Sequence, residues 1–476
     1  MILVVALFSF VFSFGALYIT RKYLAGDKLP GGDTFFHLLI SKSIREHQWK
    51  YPSSLQNVIF NEGNKNYNYL AYPPLFHYIT ALFPIRFHLK VAKILNLIIL
   101  SFLSSLTAIF AYNLTSNLAI AIFASFIVIF NLSAFELAVM FTSRPLGLLF
   151  YSLVTYIAIS YPQSVFSILT ITVLVMLINL THKFATQVLI LGLLPYAFLF
   201  NSHYLLLGLL FGFLLSILVS RGFYLKILKE HISWLYFYSL FPPRARITYK
   251  LRTIFSRNFW YLVIIASIIL LFVQKNESFL YTDLIAKVTF WTFNVIIIAL
   301  FVSVHALSFL GEEYRYIEYG LVPVGISSSL LIASSNVYVW LVSFVCVFMS
   351  FLALFKFKKY LYHSKALIDP DDILSYRSLR DYSLSNLLVF PHTRTLEVNY
   401  FTKLHVVHPV RKRTTFNSNS EYLDNLLNTY GIQYVLKFKG TDPSQLFATL
   451  TNMVSMKKIL VFKNFELYEL SPKKTT

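Results

Sequence analysis

Asp33 and His37 stand four residues apart in Gly-Gly-Asp-Thr-Phe-Phe-His, just beyond an apolar stretch that ends at Thr20. If a helix begins at Thr34 with Asp33 near its cap, the carboxylate and the imidazole share one face. A carboxylate held at a water boundary can take a proton from a hydroxyl. With His77, which closes Tyr-Pro-Pro-Leu-Phe-His, the pair could instead make a carboxylate–imidazole metal site. The three residues lack tight spacing, so histidines that hydrogen-bond at an interface are the plainer reading. For Asp33 the plainer reading is a helix cap.

Three other groups of ionisable residues interrupt apolar sequence, where such groups are costly and are paired or functional. Glu136 and Arg144 bracket Ala-Phe-Glu-Leu-Ala-Val-Met-Phe-Thr-Ser-Arg, and pairing with each other is their simplest use. His182 and Lys183 break Ile-Asn-Leu-Thr-His-Lys-Phe-Ala-Thr; Lys183 could hold a phosphate, or simply snorkel from a short connector. The densest group is Gly311-Glu312-Glu313-Tyr314-Arg315-Tyr316. Arg315 can present a planar fork to phosphate, or pair with a neighbouring glutamate. A fourth region, 221–258, interleaves Trp234 and several tyrosines with arginines and lysines. That suits a segment lying on a membrane surface.

The elements that must position these residues are membrane helices. The chain has 476 residues, of which 57% are hydrophobic, 18% aromatic and only 13% charged. Soluble domains carry about a quarter charged residues. Apolar stretches near the ~20-residue crossing length fall at 2–20, 92–112, 118–141, 145–161, 164–181, 184–200, 203–220, 259–273, 284–308, 316–335 and 337–357, about eleven in all. The first lacks a basic leader and a small-residue cleavage site, so it is read as a retained helix. From 358 onward charge and turn residues dominate. Strand-like runs at Leu387–Phe390, Tyr434–Phe438, Lys458–Phe462 and Phe465–Leu470, with a helix over Glu421–Tyr430 capped by Gly431, predict a small α/β domain. The expected division is a membrane domain over 1–357, with a first loop at 26–91, and a soluble domain over 358–476. Cys346 lies in an apolar stretch and excludes a disulfide framework. The net charge of +20 brings no nucleic-acid motif with it, and anionic lipid fits such a chain better.

The order of hydrophobic helix, G-x-D-x-x-x-H, long loop and Y-P-P-L-x-H resembles the GT-C superfamily of membrane glycosyltransferases. The nearest pattern is the protein-mannosyltransferase and aminoarabinose-transferase type, family 39-like. The resemblance implies a polytopic α-helical protein with a C-terminal soluble domain. It implies transfer with inversion from a polyprenyl- or dolichyl-phosphate sugar, with Asp33 as general base. Glu136 matches by position a second acidic residue of some members. The His182 break recurs near the family's active side. Glu312-Glu313-Tyr314-Arg315-Tyr316 is similar to a family E-x-R-Y element with one residue more, so Glu312 or Glu313 could fill the acidic role. Lys183, Arg315 and Arg144 would then bind donor phosphate, and His37, His77, His182 and Tyr316 would line the substrate. No cofactor is required; a divalent metal remains an alternative.

The family's topology places the N-terminus in the cytoplasm and puts Asp33, region 221–258 and the C-terminal domain outside the plasma membrane. The basic residues of 221–258 argue the other way under the positive-inside rule. The outside reading is preferred because basic loops suit a surface that must hold a polyprenyl phosphate. The expected partners are membrane lipid, a lipid-linked sugar donor and a protein, lipid or glycan acceptor. An oligosaccharyltransferase is disfavoured because no Trp follows Trp340, leaving no W-W-D-x-G element. The rival readings are a lipid-linked sugar transporter, disfavoured by the lack of visible repeats, and a non-catalytic scaffold of the same fold.

Overall fold

The computed structural model describes residues 1–55, 58–60, 70–161, 164–240, 255–265, 283–333, 337–363, 367–368, 370–380, 382, 384, 386–391, 394–408, 418–439 and 445–472. The chain divides into two compact units. One comprises Met1–Gly26, Ala71–Phe76 and Lys93–Tyr360; the other comprises Asp27–Leu70, His77–Ala92 and Leu361–Thr476.

The first unit is helical and apolar on its outside, as a multi-pass membrane protein requires. Its first helix, Ile2–Ala25, buries Val5, Ser9, Ser13, Leu17 and Arg21 at every fourth position. Leu3, Leu7 and Val11 stay exposed, as do Phe344 and Phe348 of the last long helix, Val337–His363. Small polar groups line the inward stripe: the Ser13 hydroxyl meets that of Ser104 at 2.7 Å, and Ser105 donates to the Ala6 carbonyl at 2.7 Å. In lipid, small residues and interhelical hydrogen bonds hold helices together where the hydrophobic effect cannot. The same principle joins helices Val165–Asn179 and His203–Val219. A methyl group added to Gly212 would lie 2.5 Å from Val175 Cβ.

Among the described residues three helices are long and apolar enough to cross a membrane, or up to five if each of two bent pairs is one span; five further apolar helices have 10–17 residues. The expected stretch 118–141 is one bent pair, Leu118–Ile129 and Leu132–Val139, turned by 62°. Asn131 explains the break. Its amide nitrogen donates to the Ile127 and Val128 carbonyls, and its oxygen accepts from the Ala134 N–H. One side chain thus satisfies backbone groups on both sides of an interruption in apolar surroundings. Region 221–258, expected as a loop, begins with the helix Phe223–Leu240, which turns by 115° from His203–Val219. Gly222, at φ +80°, makes that corner. Residues 241–254 of the region, and the greater part of expected stretch 259–273, lie outside the described residues.

The second unit is built on a six-stranded sheet. Its strands are β2 (Val58–Phe60), β4 (Leu387–Phe390), β5 (Val406–His408), β6 (Tyr434–Phe438), β7 (Val454–Val461) and β8 (Phe465–Pro472), in the order β2-β5-β4-β6-β8-β7. The first four in that order run parallel, and β6-β8-β7 run antiparallel. A separate antiparallel pair joins β1 (Leu29–Pro30) to β3 (Leu367–Ile368). Helix Asn419–Tyr430 ends at Gly431 in the left-handed conformation, as its sequence predicts. Leu388, Val407, Leu423, Leu426, Val435 and Leu450 form its core.

The first loop is woven into this unit. It supplies β1 and β2, and its helix Asp33–Glu46 packs on helix Thr395–Thr402, with Phe35 5.4 Å from Tyr400 and 5.5 Å from Phe401 between ring centroids. Asp33 and the C-terminal sheet therefore belong to one folded body.

Candidate active site

Within the helical unit, cations and carboxylates gather from segments far apart in sequence. Several sit at a helix start or a short connector. Arg144 opens helix Arg144–Ser160, with Pro145 behind it. Lys183 opens Lys183–Leu199, with buried His182 as its N-cap residue. Glu312 precedes helix Glu313–Glu318, and Gly311 at φ +115° turns the chain into it. Gly147 allows the close approach behind them: a Cβ there would lie 2.9 Å from that of Ala185 and 3.4 Å from that of His182.

The ion pairs differ from the one the sequence suggests. Glu136 and Arg144 each take another partner. Arg144 Nη1 lies 2.7 Å from Glu318 Oε1, with side chains 12% and 2% exposed. Glu136 pairs with Arg257, whose guanidinium lies 4.4 Å from the centre of the Tyr314 ring. The reason is geometric: the 62° break turns Glu136 onto its own short helix, Leu132–Val139, whose Ser133 donates to the Arg257 carbonyl. Glu312 is the acid that meets Arg315, Oε2 to Nε at 2.7 Å, and it also accepts from the Tyr314 hydroxyl at 2.5 Å. Glu313 is buried at the start of its helix. Partial burial acts to raise the Glu312 carboxyl, but Arg315, the Tyr314 hydroxyl and Arg144 outweigh it and hold it below its ordinary range.

Aromatic residues bind the group together. Lys183 Nζ lies 5.9 Å from the Tyr72 ring centre, and the Tyr72 hydroxyl is 3.3 Å from that of Ser143. The Tyr72 and His182 rings are 6.3 Å apart. Phe184 stands 4.6 Å from Tyr316 and 6.0 Å from the Arg315 guanidinium. Tyr316 is fully buried; it donates to the Leu310 carbonyl at 3.0 Å and accepts from Gln187 at 2.5 Å. Its side chain ties the Arg315 helix to the Lys183 helix.

Asp33, His37 and His77 belong to the other unit. Asp33 is the first residue of Asp33–Glu46, one position earlier than the spacing predicts, and it is exposed. The helix N-terminus behind it favours a carboxylate. His37 and His77 are buried and share a hydrogen bond, Nδ1 to Nε2 at 2.9 Å. Among the described residues no group of three or more His, Cys, Asp and Glu is placed to hold a metal ion.

Five contributors escaped the sequence reading: Glu318, Tyr72, Arg257, Glu230 and His231. Glu318 was hidden by lying inside an apolar stretch, and Tyr72 by the strength of the Pro-Pro signal beside it. Glu230 and His231 read as parts of a surface segment, although Glu230 is an acid amid many bases.

No protein-family model matches the sequence, and no curated protein does. Solved structures do match. ArnT from Cupriavidus metallidurans bound to undecaprenyl phosphate aligns with a TM-score of 0.63 at 11% identity, over 96% of this chain and 97% of that one. The apo state of ArnT gives 0.60 at 12% identity, over 97% of both chains. The Archaeoglobus fulgidus oligosaccharyltransferase gives 0.57 at 9% identity, over 92% of this chain and 69% of that one. These likenesses are of fold: the chain shares the architecture of these three structures. The match to ArnT runs along nearly the full length of both chains.

Proposed function

We propose that the protein is a membrane glycosyltransferase that moves a sugar from a polyprenyl- or dolichyl-phosphate donor to a hydroxyl acceptor on the outer face of the plasma membrane. The observation that carries this reading is the gathering of Arg144, Arg257, Arg315 and Lys183 from four separated segments of a GT-C helical unit. Independent connectors have no reason to converge. Burying so many ionisable groups is costly unless they share partners or a ligand.

In this reading the Asp33 carboxylate takes the proton of the acceptor hydroxyl. The acceptor oxygen attacks the anomeric carbon from the face opposite the phosphate, and the carbon–oxygen bond to phosphate breaks with inversion. The bonding electrons leave on the lipid phosphate, where cationic side chains stabilise them. Arg315 and Arg144 suit that role. Each spends one N–H on its glutamate and keeps others of its five for phosphate oxygens. The carboxylates prevent mutual repulsion among the cations before the donor arrives. Glu136, Glu312 and Glu313 act here by setting charge and position, while His37 and His77 support the Asp33 helix.

The test is a pair of variants in purified protein. Asp33→Asn should stop transfer and leave binding of undecaprenyl phosphate nearly unchanged. Arg315→Ala should weaken that binding. A transporter or scaffold of the same fold predicts instead that Asp33→Asn leaves the phenotype intact.

A further inference from the structure

Helix Phe223–Leu240 brings a second set of polar groups to the Lys183 side of the site. It packs against Lys183–Leu199 and against the turn His305–Leu310 that leads into the Glu312 cluster. Glu230 on this helix is only 5% exposed, yet its Oε2 has no hydrogen-bond partner among the described residues. The adjacent His231 likewise has a buried Nε2 with none, and its ring stacks on Trp234 at 6.2 Å. The charge of Glu230 acts on Lys183, and that of Lys183 acts on His231, so the three form one electrostatic group. Beyond Lys183 lies the face of the Tyr72 ring.

A buried carboxylate oxygen and a buried imidazole nitrogen without partners carry a desolvation penalty that a ligand or water must offset. The chemistry of the missing partner can be read from what is present. Lys183 and Glu230 bring opposite charges to the group, so it is not the purely cationic pocket that a phosphate calls for. It offers a charged acceptor, a charged donor and an imidazole side by side, with aromatic faces next to them. That combination suits vicinal hydroxyls on a ring whose C–H face can lie against an aromatic side chain.

We infer that Glu230 and His231, with Lys183, form the subsite that reads the hydroxyl groups of the sugar to be transferred. The inference rests on the glycosyltransferase reading above, and it reassigns Lys183 from phosphate to sugar. Arg144 and Arg315 keep the phosphate.

The experiment compares binding of bare undecaprenyl phosphate with binding of its glucosyl, mannosyl and arabinosyl forms to the full chain in nanodiscs. Wild-type protein should bind at least one glycosylated lipid more tightly than the bare one. Glu230→Gln, close in size to the native side chain, should remove about tenfold or more of the affinity for that form, the scale of a hydrogen bond to a charged group. Its affinity for the bare lipid should not change, which also reports an intact fold. His231→Asn should act in the same direction. Equal loss for bare and glycosylated lipid, or no sugar-dependent gain in the wild type, overturns the subsite. Absence of binding to every lipid form overturns the glycosyltransferase reading itself.

Discussion

Glu318→Ala is the sharpest perturbation the helical unit offers, because a matched control lies beside it. The Arg144–Glu318 and Arg315–Glu312 contacts are both 2.7 Å long. They differ in burial: 12% and 2% exposed in the first, 36% and 50% in the second. Removing one partner of a buried pair leaves a bare charge and costs about 3–5 kcal/mol. An exposed pair contributes about 0–1 kcal/mol. Glu318→Ala should therefore destabilise the protein by at least about 2 kcal/mol more than Glu312→Ala. Adding Arg144→Ala to Glu318→Ala removes the stranded guanidinium. The double variant should recover about 1 kcal/mol or more relative to the sum of the singles. Unfolding in mixed micelles by detergent titration, across the four variants, reads these differences. Equal costs for Glu318→Ala and Glu312→Ala, or strict additivity in the double variant, would refute the argument from burial.

Gly212→Val should cost about 1–3 kcal/mol by overpacking, since even its Cβ would meet Val175 at 2.5 Å; wild-type stability in the same titration would contradict the close helix approach. Cysteines placed at Ser54 and Ser418, both in the second unit, should react together with an impermeant reagent in intact cells, and labelling of only one would break the shared-side assignment. The second unit should also be sensitive to pH. Burial, opposed by Arg394 and the Tyr376 hydroxyl, raises the Glu397 carboxyl from 4.5 to about 7. Between those values the folded form binds the extra proton, so stability present below pH 4.5 falls as pH rises through about 7. Hydrogen exchange of the central strands should show that loss, and Glu397→Gln should flatten it.

Sequence reading reached different depths in the two units. The C-terminal strands and Glu421–Tyr430 were legible because alternation and a terminal glycine are local signals, and the structure has strands and a capped helix there. Strand β2 was not, since three residues carry too little pattern to be seen without their partner. Charged residue types pointed to the right neighbourhoods of the helical unit. Pairing did not follow: Glu136 and Arg144 are close in sequence, but the bend at Asn131 sets Glu136 on a short helix of its own, distinct from the helix that Arg144 opens. Arg257 and Glu318 reach them from more than 100 residues away, a relation no local window contains.

The parallel pairing of β2 with β5 has a consequence for how the protein is made. Residues 58–60 leave the ribosome about 350 residues before their partners at 406–408. At ordinary rates of synthesis that is an interval of roughly 17–70 s. Throughout it strand β2 lacks its partner β5, and the helix bearing Asp33 lacks helix Thr395–Thr402 on which it packs. A nascent or prematurely terminated chain can thus complete its membrane helices without organising the Asp33 helix. The packing of that helix waits on the synthesis of residues 395–408.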